Sequence, residues 1–312
     1  MFRDLEQHRV ELMGYCYRML GSPFDAEDAV QDAFEHAWRS RSRFQGRTAM
    51  RPWLYRIATN VCLDMLRGRK RRLRPMDLGP AQLPVLENVR VLPQSTWIEP
   101  IPIWIEGDPE DIAVARESVR LAFVAALQRL SARQRAVLIL RDVVQLQANE
   151  VAEVLDTTVA SVNSVLQRAR SSLSRSHVRV ADRVQPLTMA DRKLLQRYVS
   201  AFERYDMAAL TALIREDASQ SMPPFDNWLQ GREHILTWWA GPGVDCRGSR
   251  LTPTFSANGA ATFAQYKPSP SGGYEPFALQ VLELADGGIV EFTFFLDAVR
   301  FFPLFGAPLK LM

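Results

Sequence analysis

The sequence predicts a multi-domain chain, two all-α domains followed by an α+β domain, and three observations carry that reading. Apolar residues recur at helical spacing through residues 1–72 and again from about Ile112 to Val180. Between these stretches stand Pro75, Pro80, Pro84, Pro93, Pro100, Pro102 and Pro109, which no long helix can contain. From Thr188 the pattern changes to helix and then to short strand-like runs with turn residues between them, as in a domain that packs helices on antiparallel sheet. The expected divisions are 1–72, a Pro-rich linker 73–111, 112–180 and 188–312.

Composition supports real cores: of 312 residues, 47% are hydrophobic and 23% charged. The net charge of +3 is unevenly placed, because residues 188–312 hold 11 Lys/Arg against 13 Asp/Glu. The basic excess therefore lies in the first part of the chain and concentrates at Arg67–Arg74, a patch that favours polyanions. Cys16, Cys62 and Cys246 are too scattered for a disulfide framework or a zinc site and fit a reducing compartment. No apolar run approaches the roughly 20 residues that span a bilayer, and the start, MFRDLEQHRVEL, is too polar for a signal peptide. These features predict a cytoplasmic protein with no membrane partner, no metal and no cofactor.

In Asp25–Trp38, Val30, Ala33, Phe34 and Ala37 share one helical face, and Asp28, Gln31, Asp32 and Glu35 share the opposite one. One side packs inward; the other offers carboxylates, which an ordinary solvated face would also do. A second wheel, Met50–Arg72, buries Leu54, Ile57, Ala58, Val61 and Met65 and turns Arg56, Thr59, Asn60, Leu63, Arg67 and Lys70 outward, with Trp53 and Asp64 on the flanks. Pro52 suits a first turn, and the loop Phe44-Gln45-Gly46-Arg47-Thr48-Ala49 precedes it. Arginines that can hold phosphates, beside an aromatic ring and an amide, suit single-stranded DNA with unstacked bases.

Further on, Arg133–Leu140 opens a helix behind the cap Ser131, and Asn149–Leu155 and Val159–Leu173 form a close helical pair. In the second of the pair Val162, Leu166, Ala169 and Leu173 point inward. Ala160, Ser164, Gln167, Arg168 and Ser171 lie opposite, flanked by Ser161, Asn163 and Arg170. This is the layout of a recognition helix in a helix-turn-helix.

The stretches Asp25-Ala26-Glu27-Asp28-Ala29-Val30-Gln31-Asp32-Ala33-Phe34 and Arg51-Pro52-Trp53-Leu54-Tyr55-Arg56-Ile57-Ala58-Thr59-Asn60 resemble, in order and separation, region 2 of extracytoplasmic-function sigma factors. Asn149–Arg170 resembles sigma region 4, with departures: Asp156 in the turn, Ala160 where glycine is frequent, and Asn163 and Val165 where a lysine and an arginine are common. The resemblance implies a region 2 helical bundle and a region 4 helix-turn-helix that bind core RNA polymerase and promoter DNA. It implies contacts of Asp28, Gln31, Asp32 and Glu35 with the β′ clamp helices, and of the Arg133–Leu140 helix with the β-flap. It assigns Trp53, Arg56, Asn60, Arg67 and Lys70 to the −10 element. The −35 element falls to Ser161, Asn163, Ser164, Gln167, Arg168 and Arg170.

In the last part, Met189 to about Ile214 reads as amphipathic helix and Arg232–Trp239 as a short one. Strands are expected near 250–256, 260–267, 277–284 and 289–297. Element order, with Met222-Pro223-Pro224-Phe225, Gly231-Arg232-Glu233-His234-Ile235 and Phe302-Pro303-Leu304-Phe305-Gly306, resembles the SnoaL-like branch of the nuclear transport factor 2-like superfamily. That implies a cone-shaped α+β domain with an interior pocket, and a small-molecule ligand as a candidate partner. Some members of the superfamily are enzymes with an acid/base pair, for which Asp226, His234 and Asp297 are the available residues. Such chemistry requires convergence in one pocket, and the expected role is regulation without catalysis. Two alternatives remain open at this point: a helix-turn-helix regulator with a ligand-binding domain, and a SnoaL-like enzyme carrying a DNA-binding module.

Overall fold

The computed structural model describes residues 5–40, 50–87, 89–103, 120–174 and 187–312. The Phe44–Ala49 loop, Trp104 and the boundary at Pro186 lie outside these residues. The chain clusters into two compact units. Residues 5–72, 98–101 and 120–174 form the first; 73–97, 102–103 and 187–312 form the second.

The first unit is all helical. α1 (Arg9–Leu20) ends at Gly21, whose φ of 74° is left-handed and whose N–H reaches Tyr17 O at 2.7 Å. α2 (Pro23–Arg39) starts behind Ser22, whose hydroxyl accepts from Asp25 N at 3.3 Å, with Pro23 in the first turn. α3 is Met50–Leu66. α1 and α3 meet through Tyr15 and Tyr55, stacked edge to face at 5.2 Å, and through Tyr15 Oη, 2.7 Å from Thr59 Oγ1. Thr59 is therefore buried, not outward as its wheel position suggested; its hydroxyl donates to Tyr55 O at 2.6 Å. α3 also stops earlier than expected, with Gly68 left-handed just beyond it, so Arg67 and Lys70 follow the helix instead of riding on it.

α4 (Leu121–Gln128), α5 (Ala132–Leu138), a π-helical turn Ile139–Val143, α6 (Ala148–Val154) and α7 (Val159–Ser174) complete the unit. Ser131 and Gln134 close a capping box at the start of α5. Asp156, at φ 48°, makes the left-handed turn between α6 and α7, a conformation that Asp tolerates better than most residues. The two helical groups pack on each other. α3 lies against α6, Arg51 Nη2 donates to Val144 O at 3.4 Å, and the Arg135 guanidinium donates to Met19 O at the end of α1.

In the second unit α8 (Met189–Glu203) and α9 (Met207–Thr211) precede β1 (Ile214–Ser221) and β2 (Trp228–Gln230). The expected single helix to Ile214 is thus two helices, and β1 and β2 were not anticipated. α10 (Arg232–Ala240), β3 (Arg250–Pro253), β4 (Ala261–Pro268), β5 (Tyr274–Ala285), β6 (Gly288–Phe295) and α11 (Ala298–Leu304) follow. The six strands run in the order β2-β1-β6-β5-β4-β3. All neighbours are antiparallel except β1 and β6, which pair parallel, so the sheet is mixed.

One face of the sheet meets α8 and α10. Tyr198, Phe202 and Trp239 pack there with Phe263, Phe292 and Phe294. Buried amides cross this apolar interior as a chain: Tyr198 Oη donates to Gln280 Oε1 at 2.8 Å, Gln280 Nε2 to Gln265 Oε1 at 2.8 Å, and Gln265 Nε2 to Ser249 Oγ at 3.1 Å. The other face meets α11, where Phe295 contacts Phe301 at 5.6 Å and Tyr266 contacts Phe302 at 5.0 Å. The many aromatics of β6 and the tail thus fill two faces of one sheet. Among the described residues no helix is long and apolar enough to cross a membrane.

Candidate functional site

Three surfaces of the first unit carry the residues singled out by sequence. On α2, burial of Ala26, Ala29, Val30, Ala33, Phe34 and Ala37 leaves Asp28, Gln31, Asp32 and Glu35 exposed along the opposite side. Glu35 pairs with Arg39 one turn on, at 3.0 Å.

On α3, Arg56 and Asn60 are exposed and Trp53 is half-buried. A cavity of about 370 Å³ opens where α3 passes the end of α2, lined by His36, Arg39, Ser40, Ile57 and Asn60. It brings Asn60 together with three polar residues that the sequence reading passed over. His36 and Arg39 were hidden by the acidic character of the rest of α2; the polar cluster His36, Arg39 and Ser40 at its end was the available signal. The volume falls in the lower part of the range of small-molecule pockets.

Beyond α3 the basic run divides. Arg67, Arg69, Lys70 and Arg71 are exposed. Arg72 is drawn inward between Asp25 Oδ2, at 2.7 Å, and Glu99 Oε2, at 3.7 Å. Glu99 is itself held by Gly21 O, which accepts its N–H at 2.9 Å, and by Tyr17 Oη, which donates to its carbonyl at 2.8 Å. Part of the basic patch thus fastens residues 98–101 to the helices.

On α7, Asn163, Ser164, Gln167, Arg168 and Arg170 are exposed and Ser161 is half-buried, while Val162, Val165, Leu166, Ala169 and Leu173 face the core. Arg170 grips Asp142 with two bonds, Nε to Oδ2 at 2.9 Å and Nη2 to Oδ1 at 2.5 Å. That pairing raises its pKa further and fixes the guanidinium against its own domain.

In the second unit Asp226, His234 and Asp297 have separate partners. Asp226 Oδ1 accepts from Arg90 N at 3.0 Å, and Asp297 accepts from Gln94 Nε2. His234 Nδ1 lies 3.0 Å from the carbonyl of Gln230 on the preceding strand. Two of the three residues weighed for acid/base chemistry are thus occupied in holding the linker.

Comparison with known proteins fits this arrangement. Residues 5–72 match sigma-70 region 2, residues 120–173 match sigma-70 region 4, and residues 195–292 match the SnoaL-like domain. The chain is 44% identical over 309 residues to the ECF RNA polymerase sigma factor SigG of Mycobacterium tuberculosis, covering 97% of this chain and 82% of that protein. It is 30% identical over 176 residues to SigW of Bacillus subtilis, covering 56% of this chain and 87% of that one. The crystal structure of the extracytoplasmic function sigma factor SigJ of Mycobacterium tuberculosis superposes with a TM-score of 0.60 over 99% of both chains, at 21% identity. The protein belongs to the extracytoplasmic-function family of RNA polymerase sigma factors, which bind core polymerase and promoter DNA to start transcription, and it carries a SnoaL-like domain after the two sigma regions.

Proposed function

We propose a division of labour among the exposed surfaces of this sigma factor. The carboxylate face of α2, with Asp28, Gln31, Asp32 and Glu35, meets the β′ clamp helices of core polymerase, and the α5 region meets the β-flap. Trp53, Arg56 and Asn60 on α3, with Arg67 and Lys70 beyond it, engage the −10 element. The cavity between α2 and α3 receives a base unstacked from the opened duplex. Ser161, Asn163, Ser164, Gln167 and Arg168 on α7 face the −35 element, with Arg170 placed to steady the helix through Asp142. The C-terminal domain regulates this activity, in the cytoplasm where polymerase works. A small-molecule ligand inside that domain would displace part of the Tyr198–Trp239–Phe292 packing.

The observation that carries the reading is the cavity itself: a recess of mixed lining, with His36, Arg39, Ser40, Ile57 and Asn60 on its wall, against the helix that also bears the exposed Arg56 and the half-buried Trp53. Asn60→Ala with Trp53→Ala is expected to reduce permanganate reactivity of −10 thymines at least tenfold while core affinity stays within twofold. Footprints of wild-type intensity would remove these residues from promoter opening.

A further inference from the structure

Residues 188–312 carry 11 Lys/Arg against 13 Asp/Glu, yet the charges are sorted rather than mixed. Most of the cations have partners inside the domain. Arg215 pairs with Asp217 and Asp286, Arg232 with Glu216, and Arg250 with Glu203. Arg247 and Lys267 lie over the rings of Tyr205 and Phe277, and Arg300 donates to Gln94 at 3.2 Å. Arg192, Lys193 and Arg197 differ. All three are exposed on α8, and none has a carboxylate, ring or hydrogen-bond partner among the described residues. Of the domain's other cations only Lys310 shares that condition among those residues.

The carboxylates at the two ends of α8 are already engaged. Asp191 closes a capping box with Thr188, and Glu203 accepts Leu251 N at 3.0 Å besides pairing with Arg250. Leu194, Leu195, Tyr198, Ala201 and Phe202 pack into the core, so the helix cannot roll and the opposite side stays outward. On that side Arg192, Lys193 and Arg197, with the exposed Arg204 just past the helix end, fall within an arc of ~140° and along about 18 Å of axis. Lys193 and Arg197 stand one turn apart, where like charges repel, a cost with no return inside the domain. Such a row suits a polyanion, since each phosphate it meets releases condensed counterions.

The course of the chain says which polyanion. α8 is the next described helix after α7, and residues 175–188 join Ser174 to Met189. Fully extended, that join spans no more than ~50 Å, the length of about 15 base pairs. With α7 on the −35 element, α8 stays within reach of the neighbouring duplex. Downstream, the DNA leads to the −10 element and region 2; the unclaimed duplex lies upstream. We infer that the exposed side of α8, through Arg192, Lys193 and Arg197, binds the phosphate backbone of promoter DNA just upstream of the −35 element, an inference that rests on α7 reading that element. The contact is independent of sequence, because phosphates carry none. It makes the SnoaL-like domain an upstream clamp that adds affinity to the holoenzyme.

Holoenzyme is assembled from core polymerase and either the wild-type chain or a variant with Arg192→Gln, Lys193→Gln and Arg197→Gln. Affinity is measured by fluorescence anisotropy over a range of salt on two promoter fragments, one ending at the −35 element and one continuing about 20 base pairs upstream, past the reach of the join. Wild-type holoenzyme is expected to bind the longer fragment roughly fivefold more tightly and the variant to bind both alike, with the slope of log K against log salt on the longer fragment reduced by about 2–3 in the variant, at ~0.9 per lost phosphate contact. The same gain from the longer fragment in both proteins, or an unchanged slope, overturns the inference. Core affinity, titrated without DNA, is expected to be equal for the two proteins; a loss in the variant assigns this side of α8 to an acidic surface of polymerase and overturns the DNA contact. A changed −35 sequence on the short fragment, where α8 has no duplex to hold, reports separately on α7.

Discussion

Arg135 shows how much one side chain can settle. Its guanidinium is 3% exposed, and burial pushes its pKa down to about 10, still charged at neutral pH. It donates to Leu127 O at 3.0 Å, to Gln128 Oε1 at 2.6 Å, to the carbonyls of Gln128 and Leu130 at 3.3 Å, and to Met19 O. One charge thus ties the α4–α5 corner to the end of α1. Arg135→Ala should cost about 3 kcal/mol, since it orphans several buried carbonyls that had a charged donor. Arg135→Lys should recover only part of this, because an ammonium has three donors in place of a planar fork of five. Urea denaturation checks both; an Ala variant with an unchanged midpoint refutes the account. The residue was invisible in the sequence for a physical reason. A charged residue in a helical wheel reads as solvent-facing, and only the fold supplies the carbonyls that let it turn inward. Thr59 was misplaced on the same ground, its hydroxyl being satisfied by Tyr15 and Tyr55.

At the level of elements, the long amphipathic helices were legible because burial is periodic. Val30, Ala33, Phe34 and Ala37 fix how α2 sits, and the carboxylate row follows from geometry. Reversing charge at Asp28 and Asp32 should weaken core binding at least tenfold with the circular dichroism spectrum unchanged; undiminished affinity in a titration with core would reject that face as the contact. The Val159–Ser174 helix was legible in the same way. There Gln167→Ala or Arg168→Ala should shift the −35 sequences selected from a randomised library, since a good bidentate base contact discriminates by ~1–3 kcal/mol. Identical selections would exclude these residues from base readout. β1 was not legible. Ile214-Arg215-Glu216-Asp217 opens it with polar side chains, and Arg215 reaches Asp217 at 3.1 Å and Asp286 at 3.2 Å at the sheet's surface. A strand whose first half is solvated has no alternation to detect. Its parallel partner, β6, arrives about 70 residues later, a pairing that local sequence does not encode. The cavity wall on α2 was missed because lining a recess leaves no periodic trace.

For the whole molecule, the C-terminal domain and the linker form one compact body, so removing the first should disturb the second. A chain stopped near Gln185 loses Pro224, Asp226, Trp228 and Asp297 together, and with them the bonds that hold residues 79–94. It should still bind core, and be cut within residues 79–94 at least tenfold faster by a dilute protease. Cleavage at the full-length rate would show that the linker is protected by something else. The order of strands also bears on what happens during synthesis. β1 is the first strand made but sits between β2 and β6, the last, so its central pairing waits until Phe295 has left the ribosome. The helices through Ser174 are complete roughly 120 residues sooner, which at ~5–20 residues per second is about 6–24 s. For that interval each newly made molecule has folded sigma regions and no finished sheet on which to lay its linker. Until then residues 79–94 lack the partners that hold them, so pulse-labelled chains should be cut there faster than the finished protein.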